Sequence, residues 1–166
     1  NGKRKFILCT NNENDICTKV CYPRIKKVVS GYSELNGNRV KGLGGNLKYF
    51  VTDFVEAETT DKNKKKLVDK STEMLCLKEG CFEAIKKGND FKIFKNPKEK
   101  YLGIIYDDDG IDNFKKEAKK LNKNFVVYVF SLDDSAREEE FEDIKDLVEL
   151  KPIPAVILNV YKRIFK

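Results

Sequence analysis

Phe6, Ile7, Leu8 and Cys9 follow one another with no polar residue between them, and the run stops at Thr10-Asn11-Asn12-Glu13-Asn14-Asp15. A strand wetted on one face alternates apolar and polar side chains, so Lys5 to Thr10 reads as a strand buried on both faces, the parallel-sheet kind. A helical pattern follows. Asn14 or Asp15 can cap it, Ile16, Cys17, Val20 and Cys21 share one face, and Pro23 interrupts it before Ile25, Val28 and Val29 continue the face to Gly31. This predicts two short helices or one kinked one. Residues 31–46 hold five glycines and the turn signal Asn36-Gly37, which predicts a loop or a small hairpin. Residues 47–55, LKYFVTDFV, are rich in β-branched and aromatic side chains and predict a second strand. Strand, helix, glycine loop and strand form a βαβ pattern, and the fold class is read as α/β with part of a parallel sheet over residues 1–56.

A polar stretch, EAETTDKNKKK, marks a boundary near residue 57. Beyond it, Leu67, Val68, Ser71, Met74 and Leu75 recur at helical spacing, and Gly80 breaks the pattern before Cys81, Phe82 and Ile85. FKIFKN and KYLGIIYD, joined by Asn96-Pro97, predict a hairpin. Asp109-Gly110-Ile111 opens a helix to about Leu121, FVVYVFSL (125–132) is a strand, and the acid-rich 134–146 segment is a short exposed helix. A strand over 147–150 leads to Pro152 and Pro154, which start a last helix with Ile153, Val156, Ile157, Val160, Tyr161 and Ile164 on its apolar stripe. Residues 57–166 are thus expected to form a second, small, mixed α/β unit.

The chain has 166 residues, of which 40% are apolar, enough for one substantial core or two small ones. Its start at Asn1, with a buried-strand pattern immediately after, reads as a piece of a longer protein. No stretch reaches the roughly 18 consecutive apolar residues of a membrane span, and the N-terminus has no signal-peptide pattern, so a cytoplasmic location away from membranes is expected. Cys9, Cys17, Cys21, Cys76 and Cys81 then read as reduced thiols. With no histidine, and no two-residue Cys spacing, no metal site is expected. Residues 1–56 carry 10 Lys and Arg against 5 Asp and Glu, whereas residues 57–166 carry 23 against 22. A local positive excess fits a nucleic-acid or phosphate partner.

Ligands of open α/β sheets bind beyond the carboxyl ends of strands. Thr10 to Glu13 occupy such a position after the first predicted strand. A carboxylate there, Glu13, suits the two hydroxyls of a ribose because it offers only acceptors. The competing reading makes Asn14 or Asp15 a helix cap and its neighbours a turn. The glycines at 42, 44 and 45 match neither G-x-G-x-x-G nor the Walker pattern and precede a strand, so they read as a tight connection. Asp107-Asp108-Asp109-Gly110 is similar to the D-x-D-G opening of haloacid-dehalogenase-type phosphatases, with Asp133-Asp134 as a second acidic pair for magnesium. Ile111, however, stands where that family has a hydroxyl, and capping by Asp109 or Asp112 also accounts for the segment. The clusters Arg24/Lys26/Lys27, Lys62 to Lys66 and Lys115/Lys116/Lys119/Lys120 read as phosphate contacts or as solvated helix faces.

RKFILCTNNENDICTKVCYPRIKKVVSGY, GLGGNLKYFVTDF and ELKPIPAVILNVYKRIFK resemble the C-terminal part of the modification subunits of type III restriction systems, S-adenosylmethionine-dependent adenine-N6 DNA methyltransferases of the beta class. The resemblance is densest over residues 4–55 and extends to 147–166. It implies that Phe6–Thr10 and Leu47–Phe54 are the second and third strands of a methyltransferase-like sheet. Asn11, Asn12 and Glu13 would form its acidic ribose-binding end, and Thr52 or Asp53 would lie near the cofactor's adenine. It implies S-adenosylmethionine as cofactor of the parent enzyme, and as partners DNA, the restriction subunit and a second modification subunit. Neither PPY nor F-x-G-x-G occurs in residues 1–166, so the resemblance assigns no catalytic residue to this chain. A different reading makes residues 57–166 a non-catalytic interaction module for subunit assembly.

Overall fold

A computed structural model describes residues 6–56, 58, 60–130 and 137–165. The chain divides into two compact units, Asn1–Asp53 and Phe54–Lys166.

In the first unit a wide π-helical stretch, Ile16–Cys21, runs straight into α1, Tyr22–Ser30, with Pro23 in the first turn where its missing N–H costs no hydrogen bond. The helical stretch expected here is present as a π-helical segment continued directly by an α-helix, and Pro23 does not interrupt it. Gly31, at φ 88°, ends it, and β1 (Gly31–Ser33) pairs antiparallel with β2 (Arg39–Lys41) across the Asn36-Gly37 turn. The glycine-rich stretch then folds back on α1: the amides of Leu43 and Gly44 donate to the Val28 and Val29 carbonyls at 2.9 and 3.0 Å. Those carbonyls have no acceptor role left inside the helix, so the loop supplies their donors. Gly42 makes the approach possible, because a Cβ there would lie 2.3 Å from the Val29 carbonyl oxygen. These glycines form a tight connection.

Two expectations for this unit are corrected. Residues 6–10 and 46–55 form no strand, and Phe6, Ile7, Leu8, Tyr49, Phe50 and Val51 are exposed. The unit therefore contains no parallel sheet among the described residues, only the β1–β2 hairpin. An apolar run becomes a two-face-buried strand only if neighbours supply a hydrogen-bond ladder on its edges and a cover on its faces, and the described residues provide neither.

The second unit is α/β in the full sense. Its five-stranded mixed sheet has the order β3-β4-β5-β6-β7, formed by Glu83–Lys87, Phe91–Lys95, Tyr101–Ile105, Phe125–Val129 and Val148–Leu150. The first three strands are antiparallel neighbours, and β5, β6 and β7 run parallel. The β4–β5 hairpin turns at Asn96-Pro97, where the Asn96 side-chain oxygen accepts from the Lys98 and Lys100 amides at 2.9 and 3.0 Å. The sequence pattern does not reveal β3. It is a polar edge strand with a register shift between Ala84 and Lys86, features that guard an edge against pairing.

Helices cover both faces of this sheet. On one side lie α2 (Asp61–Glu79) and α4 (Ala155–Phe165), through Val68, Leu75, Cys76 and Ile157 against Phe94, Leu102, Ile104, Val126 and Tyr128. On the other lie α3 (Gly110–Leu121) and the 3₁₀ segment Glu138–Ile144, through Ile111, Phe114, Ala118, Phe141 and Ile144. The acid-rich segment thus has an apolar side as well as its exposed one. Phe114 is fully buried, stacks edge-on against Phe91 and Phe125, and lies so close over Gly103 that a Cβ there would come within 2.5 Å of the ring. Thr60 caps α2 by accepting the Asn63 amide at 3.2 Å, and Gly80 closes it in the left-handed region at φ 70°. Met74, expected on the apolar face of α2, is half-exposed. No helix among the described residues is long and apolar enough to cross a membrane.

Candidate functional site

The polar turn after the first apolar run is organised by Asn12. Its side-chain oxygen accepts from the Cys17 and Thr18 amides at 2.9 and 3.1 Å, satisfying two donors that the helix start leaves open. The cap is therefore Asn12, not Asn14 or Asp15, neither of which caps through its side chain. Asn12, Asn14 and Asp15 have positive φ of 55, 50 and 59°, a conformation that Asn and Asp adopt more readily than other side chains. These residues coil an extra turn ahead of the helix and move its effective cap upstream. Asn11 and Glu13 sit side by side in that turn: the Glu13 amide donates to the Asn11 side-chain oxygen at 3.2 Å, and the Asn11 amide group reaches the Glu13 carboxylate at 3.5 Å. Glu13 is exposed.

The structure thus brings Asn11, Asn12 and Glu13 together. Thr52 and Asp53 lie elsewhere in the chain, both exposed in the irregular segment that closes the unit. Tyr49 of that segment does fold back on the helix, its ring centroid 5.1 Å from that of Tyr22. Desolvation by neighbouring atoms, and then the nearby Cys17 thiol, push the Tyr49 hydroxyl above its ordinary pKa. Sequence reasoning missed Tyr49; the signal was an aromatic residue in a run whose partners were assumed to be strands.

The second unit holds a polar cluster that sequence reasoning also missed. Glu79, the last residue of α2, is buried, and its carboxylate receives the Tyr128 hydroxyl at 2.6 Å, the Lys100 ammonium, and at 3.8 Å the Lys151 ammonium. Burial by itself raises its pKa, but the hydrogen bonds from Lys100 and Tyr128 and the two positive charges outweigh that, and the carboxyl ends below its ordinary value. Burial, then the Glu79 hydrogen bond and charge, push the Tyr128 hydroxyl up, so it stays protonated at neutral pH. The carboxylate is saturated by donors and the phenol is locked as one of them. The cluster therefore anchors the end of α2 to the residue before β5, to β6 and to the residue after β7, and leaves no free acid or base for chemistry. The signal was Glu79's position, four residues past Leu75 on the buried face of the helix.

A smaller cluster links Thr72 to the Tyr106 hydroxyl at 2.6 Å, with Lys92 over the Tyr106 ring at 4.9 Å and paired to Asp69 at 3.1 Å. Burial raises the Tyr106 pKa more than these neighbours lower it, so it too stays protonated at neutral pH. Every fully buried side-chain nitrogen and oxygen among the described residues has a hydrogen-bond partner.

Asp107-Asp108-Asp109-Gly110 forms the turn that opens α3: the Gly110 and Ile111 amides donate to the Asp107 and Asp108 carbonyls at 2.9 and 3.0 Å, and Asp108 pairs with Arg137 at 2.8 Å. Asp109 occupies the cap position without a side-chain cap bond. Gly110 is there because a Cβ would meet the Asp90 carbonyl oxygen at 2.6 Å. The other half of the phosphatase reading, Asp133 and Asp134, lies outside the described residues. On α3, Lys115 and Lys119 both pair with Asp143 of the acidic segment, whose carboxyl their hydrogen bonds pull down to about 2. Those two lysines are therefore matched within the unit and are not spare phosphate contacts. No protein-family model matches the chain, nor does any curated protein or solved structure.

Proposed function

We propose that the chain is part of a type III modification subunit, an S-adenosylmethionine-dependent adenine-N6 DNA methyltransferase. Residues 1–56 are the tail of its cofactor-binding sheet and residues 57–166 a C-terminal extension. The sequence resemblance motivates this reading, and one observation carries it: two apolar segments flank a helix, both exposed, and the first ends in a turn presenting an open carboxylate. Ile7 is 87% exposed and Val51 74%, values that suit segments able to pair as strands with sheet neighbours from another part of the protein. Glu13 fits the cofactor's ribose because its only side-chain hydrogen-bond donor among the described residues, Asn11, is a long contact at 3.5 Å. The cofactor supplies the methyl group; Asn12 holds the turn, and Glu13 would accept from the ribose hydroxyls. Without PPY and F-x-G-x-G, residues 1–166 by themselves do not methylate DNA in this reading.

The test starts from the gene. Sequence encoding an F-x-G-x-G strand shortly before Asn1, with PPY further upstream, is the expected result, and an unrelated domain there overturns the reading. In the intact subunit, Glu13→Gln would then raise the KM for S-adenosylmethionine roughly 10- to 100-fold, the worth of a charge-assisted hydrogen bond. An unchanged KM would remove Glu13 from the site.

Residues 57–166 also support a second reading as an assembly module, which exposed apolar side chains on two helices favour: Met74 and Leu77 on α2, Val156 and Val160 on α4. Light scattering decides whether the chain self-associates, and a strict monomer counts against a second modification subunit as the partner.

A further inference from the structure

Charge is divided between the units unevenly. Residues 1–53 hold 10 Lys and Arg against 4 Asp and Glu, and residues 54–166 hold 23 against 23, so the whole formal charge of +6 belongs to the first unit. In the second unit many cations face a carboxylate, among them Lys86, Lys92, Lys95, Lys119 and Lys123. In the first, Lys19 pairs with Asp15 at 2.8 Å, but Arg24, Lys26 and Lys27 on α1 and Arg39 and Lys41 on β2 are exposed and form no ion pair among the described residues. Of the unit's four acids, Asp15 pairs with Lys19 and Glu34 accepts from the Asn36 side chain at 3.1 Å.

These cations sit on neighbouring elements. Arg24 and Lys27 are one helical turn apart, away from the half-buried Ile25 and Val29. Gly42, the residue after Lys41, lies against the Val29 carbonyl, which brings the end of β2 to the end of α1. One lysine near a helix C-terminus is explained by the helix dipole; five cations over a helix and its adjoining hairpin are not.

We infer that the α1–hairpin surface binds the phosphate backbone of a nucleic acid, independently of sequence, through Arg24, Lys26, Lys27, Arg39 and Lys41. A membrane surface would attract the same charges. However, α1 turns Tyr22, Ile25 and Val29 toward its own unit and leaves only Val28 of its large apolar side chains exposed, with Tyr32 on β1, so the contact it offers is mainly electrostatic, which suits an array of phosphates better than a bilayer. The inference goes beyond the methyltransferase reading, because it gives this chain a contact of its own that needs neither cofactor nor catalytic motifs.

Fluorescence anisotropy of the full chain with a labelled random-sequence duplex tests it. With five phosphate contacts, affinity should fall roughly 500-fold between about 50 and 200 mM salt. The variant K27E/R39E/K41E should lower the log–log salt slope by about 2.7 and weaken low-salt binding at least about 10-fold, while K87E/K98E/K116E in the second unit changes neither. If charge reversal disturbs folding by circular dichroism, K27Q/R39Q/K41Q gives the same slope change. No duplex binding at low salt, an equal loss in the second-unit variant, or binding only to phosphatidylserine vesicles would overturn it. S-adenosylmethionine affinity of the intact subunit reads the methyltransferase proposal separately and should not respond to these substitutions.

Discussion

The two units meet the same physical requirements in opposite ways. In the second, apolar side chains from five strands and four helical segments close two cores, one on each face of the sheet, and the buried Glu79 is saturated with donors. In the first, a helix and hairpin are held by caps and backbone contacts, while Phe6, Ile7, Leu8, Phe50 and Val51 stay exposed and five cations form no ion pair among the described residues. A domain that finishes its own accounting of apolar area and charge needs nothing else to fold. One that leaves both open exposes apolar and charged surface of the kind that contact sites use.

The largest predicted effect tests the closed core. Phe114→Ala empties the space between Gly103 and three other aromatic rings, and urea denaturation followed on the second unit's transition should show a loss of about 3–5 kcal/mol. A loss under about 1 kcal/mol would mean that this core is less complete than its packing indicates.

Glu79→Gln comes next. It leaves Lys100 and Lys151 without their shared carboxylate. Because both lysines are partly exposed, the expected loss is about 2 kcal/mol, below the value for a fully buried broken pair. The pH dependence has a definite sign. Glu79's folded pKa is below its unfolded one, so its contribution is complete above the unfolded value, about 4.3, and disappears as pH falls through the lower folded value. Comparing unfolding midpoints of the two proteins at neutral and acid pH checks this: the gap should narrow toward acid, and a constant gap would assign the loss to packing.

The smallest effect belongs to the open unit. Asn12→Gly keeps the left-handed backbone but removes the cap, so the Cys17 and Thr18 amides should exchange faster by about 0.3 kcal/mol of local opening, with no change in the second unit's unfolding.

What was legible in the sequence follows the same division. Where apolar spacing and punctuation agree, as with Gly80 ending α2, Asn96-Pro97 turning the hairpin and Ile111, Phe114 and Ala118 lining α3, the element lies where the pattern puts it. Phe6–Cys9 and residues 47–55 carry strand-like patterns, yet such a pattern specifies that the residues want cover and a ladder, not which residues provide them. Strand β3 escaped for the converse reason, since an edge strand rich in Lys and Glu shows little of the alternation that reveals strands. Of the candidate site, Asn11, Asn12 and Glu13 were legible as one polar turn, but the cap was displaced because three left-handed residues coil the chain before the helix begins. Glu79 was concealed by its charge, although its helical position marks it as buried.

Peptide-resolved hydrogen–deuterium exchange on the full chain tests the contrast between an open and a closed unit most directly. Residues 6–10 and 46–53 should exchange at nearly unprotected rates while 91–95, 101–105 and 125–129 remain protected by the sheet. Protection of residues 6–10 and 46–53 comparable to that of β4, β5 and β6 would show that these segments are already paired strands, and would contradict the account.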